Sequence, residues 1–571
     1  MKSHIHRGII ILVLAIISAC DRHPKADLVV QNGMIYTVSP DQPRAEALAV
    51  KDGKIVFVGD QTAVASWVGE ATVILDLQGQ TMTPGWIEGH GHFMGMGYNK
   101  LRLDLREVRN YDELVDKVAE AVSQSQPGEW ILGRGWHQSK WTTTTDTLVL
   151  GFQTHQKLSA VSPDNPVYLS HASGHAGFAN AKAMEIAGVG NISIEVPRAE
   201  SPEGGEILRD GLGNPTGIFN ERAMTLITKH IPETTKENDQ RALELAVENC
   251  LVNGITTFHD AGIGQYTIDL YKSAIDQGKL KVRLWAMLSG RDSLLLSNWY
   301  KRGPEIGYGA DHLTIRSIKM YMDGALGSRG AWLLESYADR PGHTGHETTP
   351  IEKLYDISAD ALAHGFQVCA HAIGDRANRE VLDQYEKAFG ENQKAAQDSR
   401  FRIEHAQHIS AGDIPRFQEM GVIAAMQGIH MASDRPWAID RLGKDRIVEG
   451  AYVWQKLLQS GAKIANGSDV PVEPLDPIAS FYASVARKTL EGTPPEGYEM
   501  DQAMTREQAL QSYTLDAAFA GFEEDSKGSI EVGKLADLVV FSKDIMQVPE
   551  SELLDTEVTY TIVGGIVEYK H

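Results

Sequence analysis

Apolar positions along this chain follow two rhythms. From Ala26 to Pro84, runs of strand length alternate with turn residues, as in "ADLVVQNGMIYTV" and "AEALAVKDGKIVFVGD". The Asn32-Gly33 and Asp52-Gly53 pairs fall between such runs, which predicts hairpins there. The same texture returns near the C-terminus in "GSIEVGKLADLVVFSKD" and "VTYTIVGGIVEYK". Strand-rich ends around a long middle predict a small β-sandwich domain built from both termini, residues 26–83 and 526–571.

The middle, residues 84–525, reads differently. Apolar strands ending in polar residues alternate with helical stretches, the pattern of parallel βα units. Eight candidates follow one another: "GWIEGHGHF" (85–93), "GITTFHDAG" (254–262), "KVRLWAML" (281–288), "SIKMYMDGA" (317–325), "FQVCAHAIGD" (366–375), "FRIEHAQH" (401–408), "GVIAAMQ" (421–427) and "KIANGSDVP" (463–471). The fold class expected is therefore α/β, a (β/α)8 TIM barrel. The gap from Phe93 to Gly254 is too long for one crossover. It predicts a long insertion after strand 1, about 94–250, containing a helix in "YDELVDKVAEAV" and strands in "EWILGRGW" and "PVYLSHASGH".

Length agrees with this plan, since one barrel with insertions can occupy most of 571 residues. The net charge of −22, from 54 basic and 76 acidic residues, argues against a nucleic-acid partner or an anionic membrane surface. The first twenty residues, "MKSHIHRGIIILVLAIISAC", place Lys2 and Arg7 before an apolar run from Gly8 to Ile17. That run is too short for a mature membrane span and has the layout of a secretory signal, residues 1–19. Its end, "ISAC", resembles a bacterial lipoprotein box, with Ile17 where Leu is commoner. The resemblance implies an exported bacterial protein on the periplasmic side, touching a membrane only through a lipid on Cys20. Asp21 resembles the inner-membrane retention signal of some bacteria. An ordinary signal or an uncleaved anchor is the alternative. The remaining cysteines, Cys250 and Cys369, make no disulfide framework. The sequence leaves a homo-oligomer open.

Chemistry enters with "TPGWIEGHGHFMGMG" at 83–97. His-x-His alone decides nothing, because 20 histidines in this length produce roughly one such pair by chance, and His4 and His6 form another. Position decides more. His90 and His92 end strand one on the same side. His371 ends strand five, His405 strand six and Asp469 strand eight; Lys319 lies in strand four, two residues before Tyr321. All six fall where one barrel mouth gathers functional side chains. Imidazole and carboxylate suit zinc and related divalent ions. Lys319 has a structural alternative, pairing with Asp323 or another acid, which would leave a mononuclear site.

The motifs "PGWIEGHGH", "GITTFHDAG", "KMYMDGALGSRGA", "HAIGDRA", "RIEHAQ", "NGSDVPV" and "GSIEVGKLADLVV" resemble the amidohydrolase superfamily, in the branch that includes N-substituted formamide deformylase. "WILGRGW", "PVYLSHASGHAGFANAKAM" and "GNPTGIF" inside the insertion match too, so the similarity spans residues 26–569. Glu88 departs from the pattern, which usually has Asp there. The resemblance implies two divalent metal ions, with zinc the expected identity. His90, His92 and Asp469 would bind the more buried ion, and His371 and His405 the other. Lys319, carboxylated by carbon dioxide, would bridge them. It further implies a hydrolase of non-peptide C–N bonds in small amide, N-acyl or N-formyl compounds, acting through a metal-activated hydroxide. Asp469 would be catalytic, shuttling a proton to the leaving amine, or else a ligand only. Ester, lactone or carbamate hydrolysis on the same site is an alternative. A catalytically inactive, lipid-anchored binding or regulatory protein is another, although all six positions are filled.

Substrate contacts are expected from His175, Trp136, Arg329, Asp375 and His430, each of which has a structural reading of equal weight. His259 and Asp260 end strand two with the same ambiguity. His343 and His346 read as loop histidines, and Met94 and Met96 as packing or gating residues.

Overall fold

The computed structural model describes residues 24–143, 148–189, 200–393 and 397–571. The expected signal and Cys20 lie outside the described residues.

Eight parallel strands, with a short antiparallel strand at Glu305–Gly307 added on the fourth, form the central sheet. They are β1 (Trp86–Gly91), β2 (Ile255–Ile263), β3 (Arg283–Ser289), β4 (Leu313–Tyr321), β5 (Gln367–Ala372), β6 (Arg402–His405), β7 (Ile423–Met426) and β8 (Ile464–Asn466). Each pairs in parallel with the next in chain order. β8 returns to β1 through the loop that follows it: Asp469 N donates to His90 O and His92 N to Val470 O, both at 2.8 Å. The expected TIM barrel is thus the observed fold. Nearly every strand residue is buried, as a parallel sheet covered on both faces requires. Helices such as Gln265–Asp276 and Asp375–Glu391 cover its outside.

A six-stranded mixed sheet occupies the gap between β1 and β2, ordered 205–209, 215–221, 176–179, 167–171, 131–136 and 103–104. The helix Tyr111–Ser123 packs on it through Leu114, Val115 and Val118 and starts at an Asn110 side chain that caps Glu113 N.

The terminal segments make two facing sheets. One holds strands 54–59, 47–51, 28–31 and 73–76; the other holds 566–570, 558–563, 538–541, 81–84, 34–36 and 44–45. Leu28, Val30, Ile35, Leu48, Leu538 and Val540 fill the space between them. The Asp52-Gly53 turn joins a hairpin, with Lys51 opposite Lys54. The Asn32-Gly33 pair does not. Strand 28–31 pairs with 47–51 and 73–76, while 34–36 pairs with 44–45 and 81–84 in the opposite sheet. Asn32, at φ 61°, turns the chain across the sandwich instead of back along it. Gly33 is required there, because a Cβ would lie 2.4 Å from Leu77 Cδ1 and 2.6 Å from Gln80 O. Both runs then bury side chains in one core, a satisfaction that a local alternation pattern cannot distinguish from a hairpin.

The sandwich is locked to the barrel by Arg283 of β3, whose guanidinium donates to both Asp537 oxygens at 2.7 and 3.0 Å. Cys250 and Cys369 are buried free thiols.

Candidate active site

The C-terminal ends of the strands open into a cavity of about 780 Å³ whose lining includes His92, Lys319, His371, His405 and Asp469. His90 sits just beneath it, fully buried. All six residues expected at the mouth converge. His90 Nε2 is 3.0 Å from Lys319 Nζ and 3.6 Å from Asp469 Oδ1, and His92 Nε2 is 3.3 Å from the same oxygen. Ligand-type atoms of His90, His92 and Asp469 all lie within 4.8 Å of one another, a possible metal-binding site. The His405 ring is 5.0 Å from that of His90 and 4.5 Å from that of His371.

The imidazoles are held by their other nitrogens. His90 Nδ1 contacts the Glu404 carboxylate, His92 Nδ1 lies 3.1 Å from Ala261 O, and His405 Nδ1 lies 2.8 Å from Gln427 Oε1. Gln427 donates its own amide to Ala425 O, so its oxygen is the end turned to His405. Each acceptor favours the proton on Nδ1 and turns Nε2 toward the site, the second-sphere arrangement that orients metal-binding histidines; at His90 that Nε2 faces Lys319 Nζ at 3.0 Å. Asp469 Oδ1 and His371 Nε2 are buried and make no well-aligned hydrogen bond among the described residues; their nearest partners are His92 Nε2 and Asp323 Oδ1, each at 3.3 Å. A cluster of imidazole lone pairs and an unsatisfied carboxylate oxygen fits a divalent ion.

Backbone shape brings these groups together. Strict alternation would turn His405 away from the face that Glu404 occupies. His405 and Ala406 have φ of 75° and 42°, which breaks the alternation and lets both neighbours point inward. Asp469 also sits at positive φ, 58°. Glu88 accepts from Ser468 N at 2.7 Å and Ser468 Oγ at 2.9 Å, tying β1 to the loop that carries Asp469. Burial pushes its carboxyl up to about 8. Burial likewise lowers Lys319 to about 8, against the opposing pull of Glu404 and Asp469, and lowers His90 to about 4, with Lys319 adding to the effect. A desolvated amine is more readily neutral and nucleophilic. Lys319 does not pair with Asp323, which instead accepts backbone N–H groups of Trp332, Ile373 and Gly374 at 2.9, 3.0 and 2.8 Å.

Among the expected substrate contacts, His175 and His430 are in place. His175 lines the cavity, its ring 5.0 Å from that of His371 and its Nδ1 2.8 Å from Glu221 Oε2. His430 stacks 6.0 Å from His405 in an adjoining recess of about 50 Å³. Asp260 and Met94 also line the cavity. Three are elsewhere. Trp136 is buried in the core of the insertion, donating Nε1 to Leu169 O. A register shift between Arg134 and Trp136, with Gly135 at φ 107°, rotates Trp136 onto the face of Ile131. Arg329 is held by Asp339 at 2.9 and 3.2 Å, and Asp375 begins a helix and accepts Leu334 N and Arg376 N. His259 lies inside the barrel against Arg402, 3.0 Å away. The His343 ring packs on His346 in the loop after β4, 5.2 Å apart.

Sequence reasoning missed Glu404 and Gln427, which hold His90 and His405, and Arg134 and Tyr321, which line the cavity. The strand "RIEH" carried a signal for Glu404, because an acid flanked by Arg402 and His405 inside a barrel has no solvent to neutralise it.

Residues 73–569 match the amidohydrolase family. The chain belongs to that family. Among relatives, the Arabidopsis thaliana protein LONG AFTER FAR-RED 3 is 33% identical over 95% of this chain and 91% of its own. The N-substituted formamide deformylase of Arthrobacter pascens is 28% identical over 95% of this chain and 98% of its own. A solved structure, described as an uncharacterized metal-dependent hydrolase from Pyrococcus horikoshii, has 26% identity and a TM-score of 0.71, covering 92% of this chain and 99% of that one. This amidohydrolase is accordingly a hydrolase with a possible metal site at its barrel mouth, and the expected branch is the one its relatives occupy.

Proposed function

We propose that the protein hydrolyses non-peptide C–N bonds of small N-formyl or N-acyl amines, with two divalent ions held by His90, His92, His371, His405, Asp469 and a carboxylated Lys319. The observation that carries this reading is the convergence of six side chains at one cavity floor, with three imidazoles anchored through Nδ1. When bound, the ions lower the pKa of water and polarise the scissile carbonyl. The chain's own residues do the rest. Glu404, Ala261 O and Gln427 keep the imidazoles aimed. Asp469 would take the proton that the attacking water loses onto its carboxylate and deliver it to the leaving nitrogen, which would otherwise depart as an unstable amide anion. The recess beside His430 suits a short acyl group, and the larger cavity the amine half. The deformylase relative supports the bond type. Zinc is the ion we expect.

The test is hydrolysis of N-formyl amines, N-acyl amines and matched esters before chelation, after chelation and after zinc is restored. The reading expects amide cleavage that disappears and returns with the ion. Cleavage of esters alone would replace it with esterase chemistry, and no cleavage of any compound would overturn it.

We also propose export and lipid anchoring through Cys20, on the strength of the first twenty residues. Labelled palmitate should be incorporated by the wild-type chain and not by Cys20→Ala; a wild type that takes up no label would contradict the anchor.

A further inference from the structure

Every acid lining the cavity already has hydrogen-bond or ion-pair partners, and several cations lining it have no carboxylate partner among the described residues. Glu221 holds His175, Asp260 accepts from Tyr271 Oη at 2.6 Å and Phe93 N at 2.9 Å, Asp323 takes three backbone N–H groups, and Asp469 faces His90 and His92. By contrast Arg134, Arg222, Arg291 and Lys353 line the same space, and among the described residues none has a carboxylate within 4.0 Å. The four cations match the four acids in number, in a chain whose net charge is −22, and are left without a partner of opposite charge in contact among the described residues.

Arg134 is the most constrained of the four. Its Nε donates to Pro471 O at 3.3 Å and its Nη2 to Ala172 O at 2.9 Å. Carbonyls orient a guanidinium without neutralising it. Burial lowers its pKa to about 10, with the nearby Asp469 charge pulling the other way and no carboxylate in direct contact. Nη1 has no hydrogen-bond partner among the described residues, and Arg134 is part of the cavity lining. Arg291, from the loop after β3, is held in a different way: its guanidinium lies 4.2 Å from the centroid of the Tyr321 ring. Two arginines fixed in place without counter-ions prepare a site for an anion supplied by the substrate.

The position of Arg134 narrows the class. Its anchor Pro471 is two residues from Asp469, the group assigned above to protonate the leaving nitrogen. A carboxylate on the carbon next to that nitrogen would fall on the Arg134 side of the cavity. We propose that the natural substrates are N-acyl amino acids or close analogues, whose α-carboxylate is bound by the free edge of Arg134, with Arg291 adding to the positive field. This rests on the reading of the site as an amide hydrolase.

Two measurements on the metal-loaded full-length chain test it. The first compares kcat/KM for N-formyl- and N-acetylphenylalanine with that for their carboxamides. The proposal expects the acids to be favoured by about 30-fold or more, the range for a desolvated charge-assisted pair. Arg134→Gln should collapse that ratio toward one and Arg134→Lys should restore part of it. Arg329→Gln, outside the cavity, should leave the ratio as it is. The second measures equilibrium binding of the uncleavable ketomethylene analogue of each acid and carboxamide. Acid-selective binding that Arg134→Gln abolishes, without cleavage of the parent compounds, would uphold the anion site and overturn the hydrolase reading. Equal binding of acid and carboxamide, or binding of neither, would overturn the anion site, as would an acid preference that survives Arg134→Gln.

Discussion

Glu404 holds His90 with the same buried carboxylate that receives Arg402 at 2.7 and 2.9 Å. All three groups are shielded from solvent. Arg402 also donates to Gly89 O at 2.7 Å, so the base of the proposed metal centre is braced from β6 to β1. Removing the charge at Glu404 should therefore act on the ion as well as on the fold. Glu404→Gln is expected to weaken metal affinity by about 10- to 100-fold. It should also destabilise the protein by about 3 kcal/mol or more, because Arg402 is left as an uncompensated buried charge. Metal-buffered titration and urea unfolding check the two effects. Unchanged affinity with lost stability would reduce Glu404 to a counter-ion for Arg402.

Gly467 lies behind the same centre. A Cβ there would meet Glu88 Oε1 at 2.4 Å and His90 N at 2.7 Å. Gly467→Ala should push β1 from the Asp469 loop and lower metal content and turnover together. Metal analysis of the folded variant, verified by circular dichroism, reads this. Full occupancy would mean that the loop absorbs the methyl group without moving Asp469.

The joint between barrel and sandwich predicts a pH dependence. Burial alone would raise the Asp537 carboxyl, but Arg283 outweighs it and holds the group below the ordinary range. A depressed folded-state value stabilises the protein above the unfolded value of about 3.9, and the gain is lost as pH falls through the folded value. Asp537→Asn should remove that dependence and cost about 3–5 kcal/mol near neutral pH, since Arg283 would then be buried unpaired. Urea unfolding of both proteins between neutral and strongly acidic pH gives the comparison. An equal acid response in both would place the dependence elsewhere.

Trp136 offers a test of its relocation. As a core residue it should cost about 3–5 kcal/mol when cut to Ala. Trp136→Phe, which keeps the packing, should retain kcat/KM within a few-fold. A selective rise in KM with unchanged stability would put the indole back in the substrate's path.

The barrel was legible because six of the eight strands announced their own ends: an apolar run closing on His, Asp or Lys can bury its body and still present one polar group at the mouth. His90, His92, Lys319, His371, His405 and Asp469 could be gathered from that rule alone. The groups that hold them could not. Glu404 and His405 face the same way because of a backbone angle at His405, and Arg134 rather than Trp136 faces the cavity because of a bulge at Gly135. Asn32-Gly33 crosses between sheets where a hairpin was expected, since both outcomes bury the same side chains. These are departures from regular periodicity, and a pattern argument assumes periodicity.

The most direct measurement is the metal stoichiometry of the purified full-length chain after zinc reconstitution, beside His371→Ala and His92→Ala. The account predicts two equivalents in the wild type and a clear loss in each variant, with hydrolysis falling in step. A wild type that retains no tightly held divalent ion, or variants that retain the full complement, would contradict it.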